Sequence, residues 1–508
     1  MAKSRTSIAY ATFILMVGAI TSKLLGFMRE LIVAYKFGAG NISDAFLLTS
    51  SIPNLLFGAI ATVVGISYIP YCQTLNKKEK IDYFTSNLTN CIIIILLAGC
   101  ILVNIFPRLV LKILAGGLNS ESADYAVVMI RIVVFSIIPI IMAHLFQAYS
   151  QVNEQFHSTA WFGVVTNTII ILFTLTANNH TFYLLSIGVV TANIIGMLMT
   201  IKGTHHLHFR YSIVLNPFDQ DIKKIVVLTI PLLVENLAYN MSLLVDRSLA
   251  SYLDSGTISG LSYAGTIGNI ASGMISSSII TAVYPTISRL ASKEKKILEP
   301  HLIRHSKWIV FILCPISFVF VFFAPDFVSI IFNHGAFKNA SLGVIWQSLI
   351  CYSIGAVPAG LQTYFIRCFY AFRDTKTPVF IQVFSFIINI MLNLLSVKYF
   401  RHMGIALSTS ISYLIAFILL AIILKRKHNV SCVNKIIIDA ISGCLNAFLA
   451  GIGTIVIVRS ICIDNFLWRF IFEVSFFAMI YIGLAWVIQR ETIKIGLDVI
   501  IRKIHKFQ

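Results

Sequence analysis

Charged side chains make up only 12% of these 508 residues, about half the share of a soluble domain. The chain is 57% hydrophobic with a mean hydropathy of +0.86. It cannot present enough polar surface to water, so a soluble globular protein is excluded. Motifs for nucleotide or hydrolytic chemistry are also missing. No GxxxxGK[ST], no GxGxxG ahead of a helix, no HExxH and no GxSxG occurs, which argues against ATP-driven pumping by this chain alone. The nine cysteines stand singly, mostly in apolar runs (Cys91, Cys100, Cys314, Cys351, Cys368), with no CxxC or metal-type spacing. Apolar packing is their expected role. His205, His206 and His208 form a small loop cluster read as a solvated face, with metal binding as the alternative. No connection exceeds about twenty residues, below the roughly 40 that fold unaided, so no soluble catalytic domain fits between the apolar runs.

What the chain has instead is long apolar runs, which favour helices over the alternating strands of a barrel. A span needs about 20 apolar residues. On that ruler the expectation is an all-α polytopic membrane protein of fourteen helices. Their centres fall near Met16, Ile60, Leu96, Ile137, Ile170, Val190, Leu237, Ile275, Phe318, Ala356, Ile387, Leu414, Ile455 and Ile480. The net charge of +18 then points to cytoplasmic loops facing anionic lipid rather than to nucleic acid. With a cytoplasmic N-terminus, 26 of the 39 Lys and Arg residues fall inside and eight outside, so both termini are expected in the cytoplasm.

The sequence also repeats at an offset of about 215 residues. Gly40-Asn41-Ile42-Ser43 returns as Gly256-Thr257-Ile258-Ser259, and Tyr68-Ile69-Pro70 as Val283-Tyr284-Pro285. The basic cluster Lys77–Lys80 returns as Lys293–Lys296, Pro139 as Pro358, and the turn Asn153-Glu154 as Arg373-Asp374. Two six-helix lobes in parallel orientation follow, which places a substrate between them. The expected division is residues 1–220 (spans one to six), 221–428 (seven to twelve) and 429–508 (thirteen and fourteen, outside the repeat).

Charge within apolar runs marks candidate functional residues, because it costs roughly 2.5–3.5 kcal/mol per residue at a helix centre. The densest case is Thr21–Asn54, which holds Lys23, Arg29, Glu30 and Asp44. One reading is structural: a snorkelling Lys23 with an Arg29–Asp44 or Lys23–Glu30 pair. The other is a cationic site, where the Arg29 guanidinium suits a phosphate or diphosphate through its two-pronged donation. The seventh span carries Glu235, Asp246 and Arg247, and the eleventh carries Asn389 and Asn393 four residues apart on one face. One carboxylate with neutral oxygens suits Na⁺. Helix-to-helix bonding by the asparagines is the alternative.

The stretch SKLLGFMRELIVAYKFGAGNISDAF…IPNLL resembles the opening signature of the MurJ/MviN lipid II flippases, within the wider MOP exporter superfamily. IFNHGAF and YFIRCFYAFRDTKTPV extend the likeness through nearly the whole chain. The resemblance implies movement of lipid II, the undecaprenyl-diphosphate-linked disaccharide-pentapeptide, to the outer leaflet of the bacterial cytoplasmic membrane for cell-wall synthesis. It implies alternating access around a cationic cavity, a lipid-tail groove by spans thirteen and fourteen, no catalysis, and a monomer whose partners are lipid II and membrane lipids. Arg29 matches a cavity arginine, Asp44 an essential aspartate, and Lys23 the place of another arginine. Asp246, Asn389, Asn393 and Thr409 match the positions of a sodium site, so no cofactor beyond a coupling Na⁺ is expected. Thr266, Asn269, Phe57 and Gly58 stand where many members carry basic residues. That leaves two alternatives open: export of another polyprenyl-linked glycan, and a MATE-like drug/cation antiporter.

Overall fold

The structure is a computed structural model describing residues 2–62, 67–75, 77–205, 207–291, 295–337, 339–459 and 465–490. Among these residues it is helical, with no strand. Helices satisfy every backbone N–H and C=O within one segment, which is what a hydrocarbon environment demands of a chain this apolar. Two compact units divide the chain: Met1–Ser259 with Gly335–Phe337, and Gly260–His334 with Lys338–Gln508.

In the first unit run α1 (Ala2–Phe37), α2 (Asn41–Thr62), α3 (Tyr68–Thr74), α4 (Lys78–Ile105) and α5 (Pro107–Ala115). They are followed by α6 (Ser120–Val133), α7 (Ile137–Val152), α8 (His157–Thr176), α9 (Leu184–His205) and α10 (Gln220–Ser251). The unit closes at the first turn of α11 (Thr257–Ala291). Local chemistry sets the boundaries. Pro107 opens α5 with its fixed φ. Asn119 caps α6 by accepting from the Ser122 N–H at 2.7 Å, and Asp219 caps α10 by accepting from Asp221 N–H at 2.8 Å.

The extended segment after α9 has no helix to satisfy its backbone, and α4 does so instead. Asn87 accepts from Asn216 N–H at 2.7 Å and donates to its carbonyl at 2.9 Å. Asn90 donates to the Val214 carbonyl, Ser86 accepts from Ser212 N–H, and Asp82 accepts from Tyr149 and from Arg210 N–H. The polar start of the third span is thus a ladder for a connecting strand of chain.

The second unit holds α12 (Lys295–Phe332), α13 (Asn339–Ile354), α14 (Ala356–Ala371), α15 (Lys376–His428), α16 (Val433–Arg459) and α17 (Phe466–Ile488). At Arg401 the chain takes φ 50° and ψ −129°, and α15 doubles back on itself. Its two arms are tied by Ser385 donating to the Ser412 carbonyl and by Ser396 to Ser408. Each unit has its own apolar core: around Tyr68, Phe84, Leu96 and Tyr149 in the first, and around Tyr364, Phe365, Phe369 and Phe477 in the second.

The sequence repeat is visible inside each unit. Glu154 and Arg373 both take positive φ, 57° and 61°. In both turns the next residue's N–H reaches back five positions, Gln155 to the Ser150 carbonyl and Asp374 to the Phe369 carbonyl, each at 2.9 Å. The fourth span of each half breaks just before its proline, at Val134–Ser136 ahead of Pro139 and at Gly355 ahead of Pro358. Proline supplies no N–H to the preceding turn, so the helix opens there. The basic cluster Lys293–Lys296 lies partly outside the described residues.

Eight described helices are long and apolar enough to cross a membrane, nine if the bent pair α13–α14 is one span. Fourteen were expected. The count covers only the described residues: α15 contains two arms counted once, and α1, α2, α10 and α11 each include residues whose side chains are not described.

Candidate functional site

Small residues seat the first charged helix. Gly18, Ser22 and Gly26 recur every fourth position on one face of α1, where they meet Ala160, Gly163 and Asn167 of α8. Asn167 donates to the Ser22 carbonyl at 3.1 Å and accepts from Arg29 Nη1 at 3.2 Å. The other side of the guanidinium lies 3.6 Å from Glu30 Oε1. Arg29 and Glu30 are therefore held in place, with side chains 29% and 15% exposed. That leaves part of the guanidinium open to an anion. Lys23 is exposed on α1. At the far end of the same helix, Lys36 donates to the Leu175 and Ala177 carbonyls at 2.6 and 2.5 Å, completing the end of α8.

Asp44 has a different environment. Its side chain is buried, and it accepts from Gly256 N–H at 2.6 Å and from Ser259 N–H at 2.7 Å. These N–H groups belong to the start of α11, so Asp44 is a helix cap supplied from 212 positions away in the sequence. An Arg29–Asp44 pair is not what forms. A carboxylate at a helix N-terminus is favoured by both the free N–H groups and the helix dipole. Around it the backbone packs tightly. Gly256 has φ 90°, and a Cβ there would sit 2.8 Å from the Ala39 carbonyl oxygen. Gly335 has φ 71°, and a Cβ there would sit 2.2 Å from the Tyr35 oxygen. Ala336 N–H donates to that same Tyr35 carbonyl at 2.9 Å. Asn41 completes the junction, accepting from Asn119, Ser122 and Ser255 and donating to Glu121. Three stretches singled out in the sequence, FGAGNISD, DSGTISG and NHGAF, thus meet at one point.

Among the candidate ion ligands, Asn393 donates to Asn389 Oδ1 at 3.1 Å and Asn389 donates to Thr409 Oγ1 at 3.3 Å. These three residues join the two arms of α15 in the second unit, and both asparagines are buried. Asp246 lies on α10 in the first unit. The Glu235 side chain and His206 fall outside the described residues. Among the described residues no three His, Cys, Asp or Glu side chains gather to hold a metal. The eight described cysteines are free and buried or half-buried, with Cys314 and Cys444 sulfurs 3.7 Å apart.

Sequence reasoning found the charged residues and missed their partners. Asn167, a lone amide in an apolar run, positions Arg29, and its polarity in TNTII was the available signal. Backbone N–H groups, the partners of Asp44, have no signature of their own beyond the repeated GxIS motif.

A family model described as lipid II flippase MurJ matches residues 33–477. A probable lipid II flippase MurJ of Buchnera aphidicola subsp. Baizongia pistaciae is 28% identical over 436 residues, covering 82% of each chain. A lipid II flippase MurJ of Burkholderia cenocepacia is 24% identical over 498 residues, covering 92% of this chain and 95% of its own. Among solved structures, a lipid II flippase MurJ in an inward closed conformation superposes with a TM-score of 0.82 at 22% identity, over 95% of this chain. An inward-facing MATE multidrug transporter of the MOP superfamily reaches 0.64 at 15% identity, over 82%.

The Asp44 cap yields a prediction. Asp44→Ala removes two charge-assisted hydrogen bonds from a buried helix start and is expected to destabilise the protein by about 2 kcal/mol or more. Gly335→Ala is expected to destabilise it as well, through clash and strain. Thermal unfolding of the purified protein in detergent is the measurement, and an Asp44→Ala variant melting with wild type refutes the capping role.

Proposed function

The chain belongs to the lipid II flippase MurJ family, and from that premise we propose that it carries lipid II from the cytoplasmic to the outer leaflet of the bacterial cytoplasmic membrane. It is an integral membrane protein of a transporter family. On this reading it works by alternating access, as a monomer with both termini in the cytoplasm, and carries out no covalent chemistry. The charge distribution of the connections supports that orientation.

The observation that carries the reading is Arg29. In an apolar helix, Asn167 and Glu30 fix a guanidinium that stays partly open. A diphosphate is the part of lipid II that such a group recognises, through two parallel N–H donors. Lys23, six residues earlier on α1, adds a second cation without a competing geometric demand. Glu30 keeps the guanidinium oriented. Asp44 acts at a distance from the anion, by fixing the start of α11.

For the energy source we propose Na⁺ as coupling ion, with Asp246 as its charged ligand. Asn389, Asn393 and Thr409 offer neutral oxygens of the kind a hard cation takes.

Two experiments test these readings. In a bacterium depleted of its own flippase, the wild-type chain is expected to restore growth, Arg29→Lys to restore it poorly, and Arg29→Ala not at all. Full activity of a well-inserted Arg29→Ala protein would overturn the anion-site assignment. Separately, transport by wild type is expected to rise with Na⁺ and Asp246→Ala to lose that response. A response that persists in Asp246→Ala excludes the carboxylate as ion ligand.

A further inference from the structure

A second cationic site lies in the second unit. A cavity of about 300 Å³ opens where α12, α16 and the end of α17 meet. Lys307, Lys435 and Arg490 line it, with Asp439 as its single carboxylate and Ser442 and Gln489 as neutral polar groups. Lys435, Asp439 and Ser442 are four and then three residues apart on α16, so they form one stripe facing the cavity. Lys307 lies 4.0 Å from Asp439, with only 11% of its side chain exposed. One acid against three bases leaves the cavity cationic. Gln489 Oε1 is buried and accepts no hydrogen bond among the described residues.

We propose that this cavity is a headgroup site for an anionic phospholipid. Three features point to that class. Three bases around a small polar cavity match a phosphate diester, with Ser442 as a further donor to its oxygens. The free carbonyl oxygen of Gln489 matches a headgroup hydroxyl such as that of a glycerol. Apolar surface suited to acyl chains adjoins these residues in sequence: Val310 and Ile488 line the cavity, and Ile438 and Ile441 on α16 and Val487 on α17, next to lining residues, are 64%, 63% and 78% exposed. A free phosphate would gain nothing from those neighbours, whereas a lipid lays its chains along them. Basic pockets between spanning helices on the cytoplasmic side take such headgroups. On the proposed orientation, Lys307, Lys435 and Arg490 all lie on that side.

The test uses the full chain, purified and stripped of lipid in detergent. Intact-protein mass spectrometry counts phosphatidylglycerol bound against phosphatidylcholine. Wild type is expected to retain phosphatidylglycerol preferentially. Lys435→Gln/Arg490→Gln, at two exposed positions that leave the core untouched, is expected to lower its occupancy roughly tenfold or more. Lys435→Arg/Arg490→Lys is expected to keep it. Equal retention of the two lipids, or a charge-removed variant that binds like wild type, overturns the proposal. Thermal stabilisation by inorganic phosphate alone, equal to that by phosphatidylglycerol, assigns the cavity to free phosphate and overturns the lipid assignment.

Discussion

The first unit depends on a carboxylate that serves backbone rather than side chain. Asp44 holds two N–H groups at the start of α11, and the surrounding turns approach so closely that only glycine fits at Gly256 and Gly335. A helix start has unsatisfied N–H groups that water would normally serve. At the start of α11 a residue from elsewhere in the sequence serves them. The cap ties the start of α2 to the first turn of α11 through two short bonds.

The same accounting governs the rest of the molecule. Polar side chains in the apolar segments are mostly committed to structure. Asn87 and Asn90 serve the segment after α9, Lys36 serves the end of α8, and Asn389 ties the arms of α15 through Thr409. Against that background Arg29 stands out. Asn167 and Glu30 position it without enclosing it, so it combines a defined geometry with remaining access. A site for a diphosphate needs both properties.

Much of this was legible in the sequence. The helical membrane class followed from composition. The repeat located matching turns at Asn153-Glu154 and Arg373-Asp374, whose left-handed residues and long backward bonds coincide in the structure. Charge in apolar runs located Arg29 and Asp44. What was not legible is whatever depends on backbone partners or distant contacts. Nothing in the sequence assigns Asp44 to the N–H groups of Gly256 and Ser259 rather than to Arg29. Nor does it show that α4 carries a polar ladder for the connection after α9, since a stripe of Asn and Ser reads equally well as helix-to-helix bonding. The cavity at Lys307, Lys435 and Arg490 joins residues far apart in sequence, which no local motif brings together.

The most direct measurement is the leaflet distribution of lipid II in proteoliposomes. Lipid II is loaded into the inner leaflet, and the fraction of headgroups open to an external, membrane-impermeant reagent is followed over time. Vesicles with the wild-type chain should expose lipid II far faster than protein-free vesicles, and those with Arg29→Ala should match the protein-free rate. Equal rates with and without the wild-type chain would contradict the central claim.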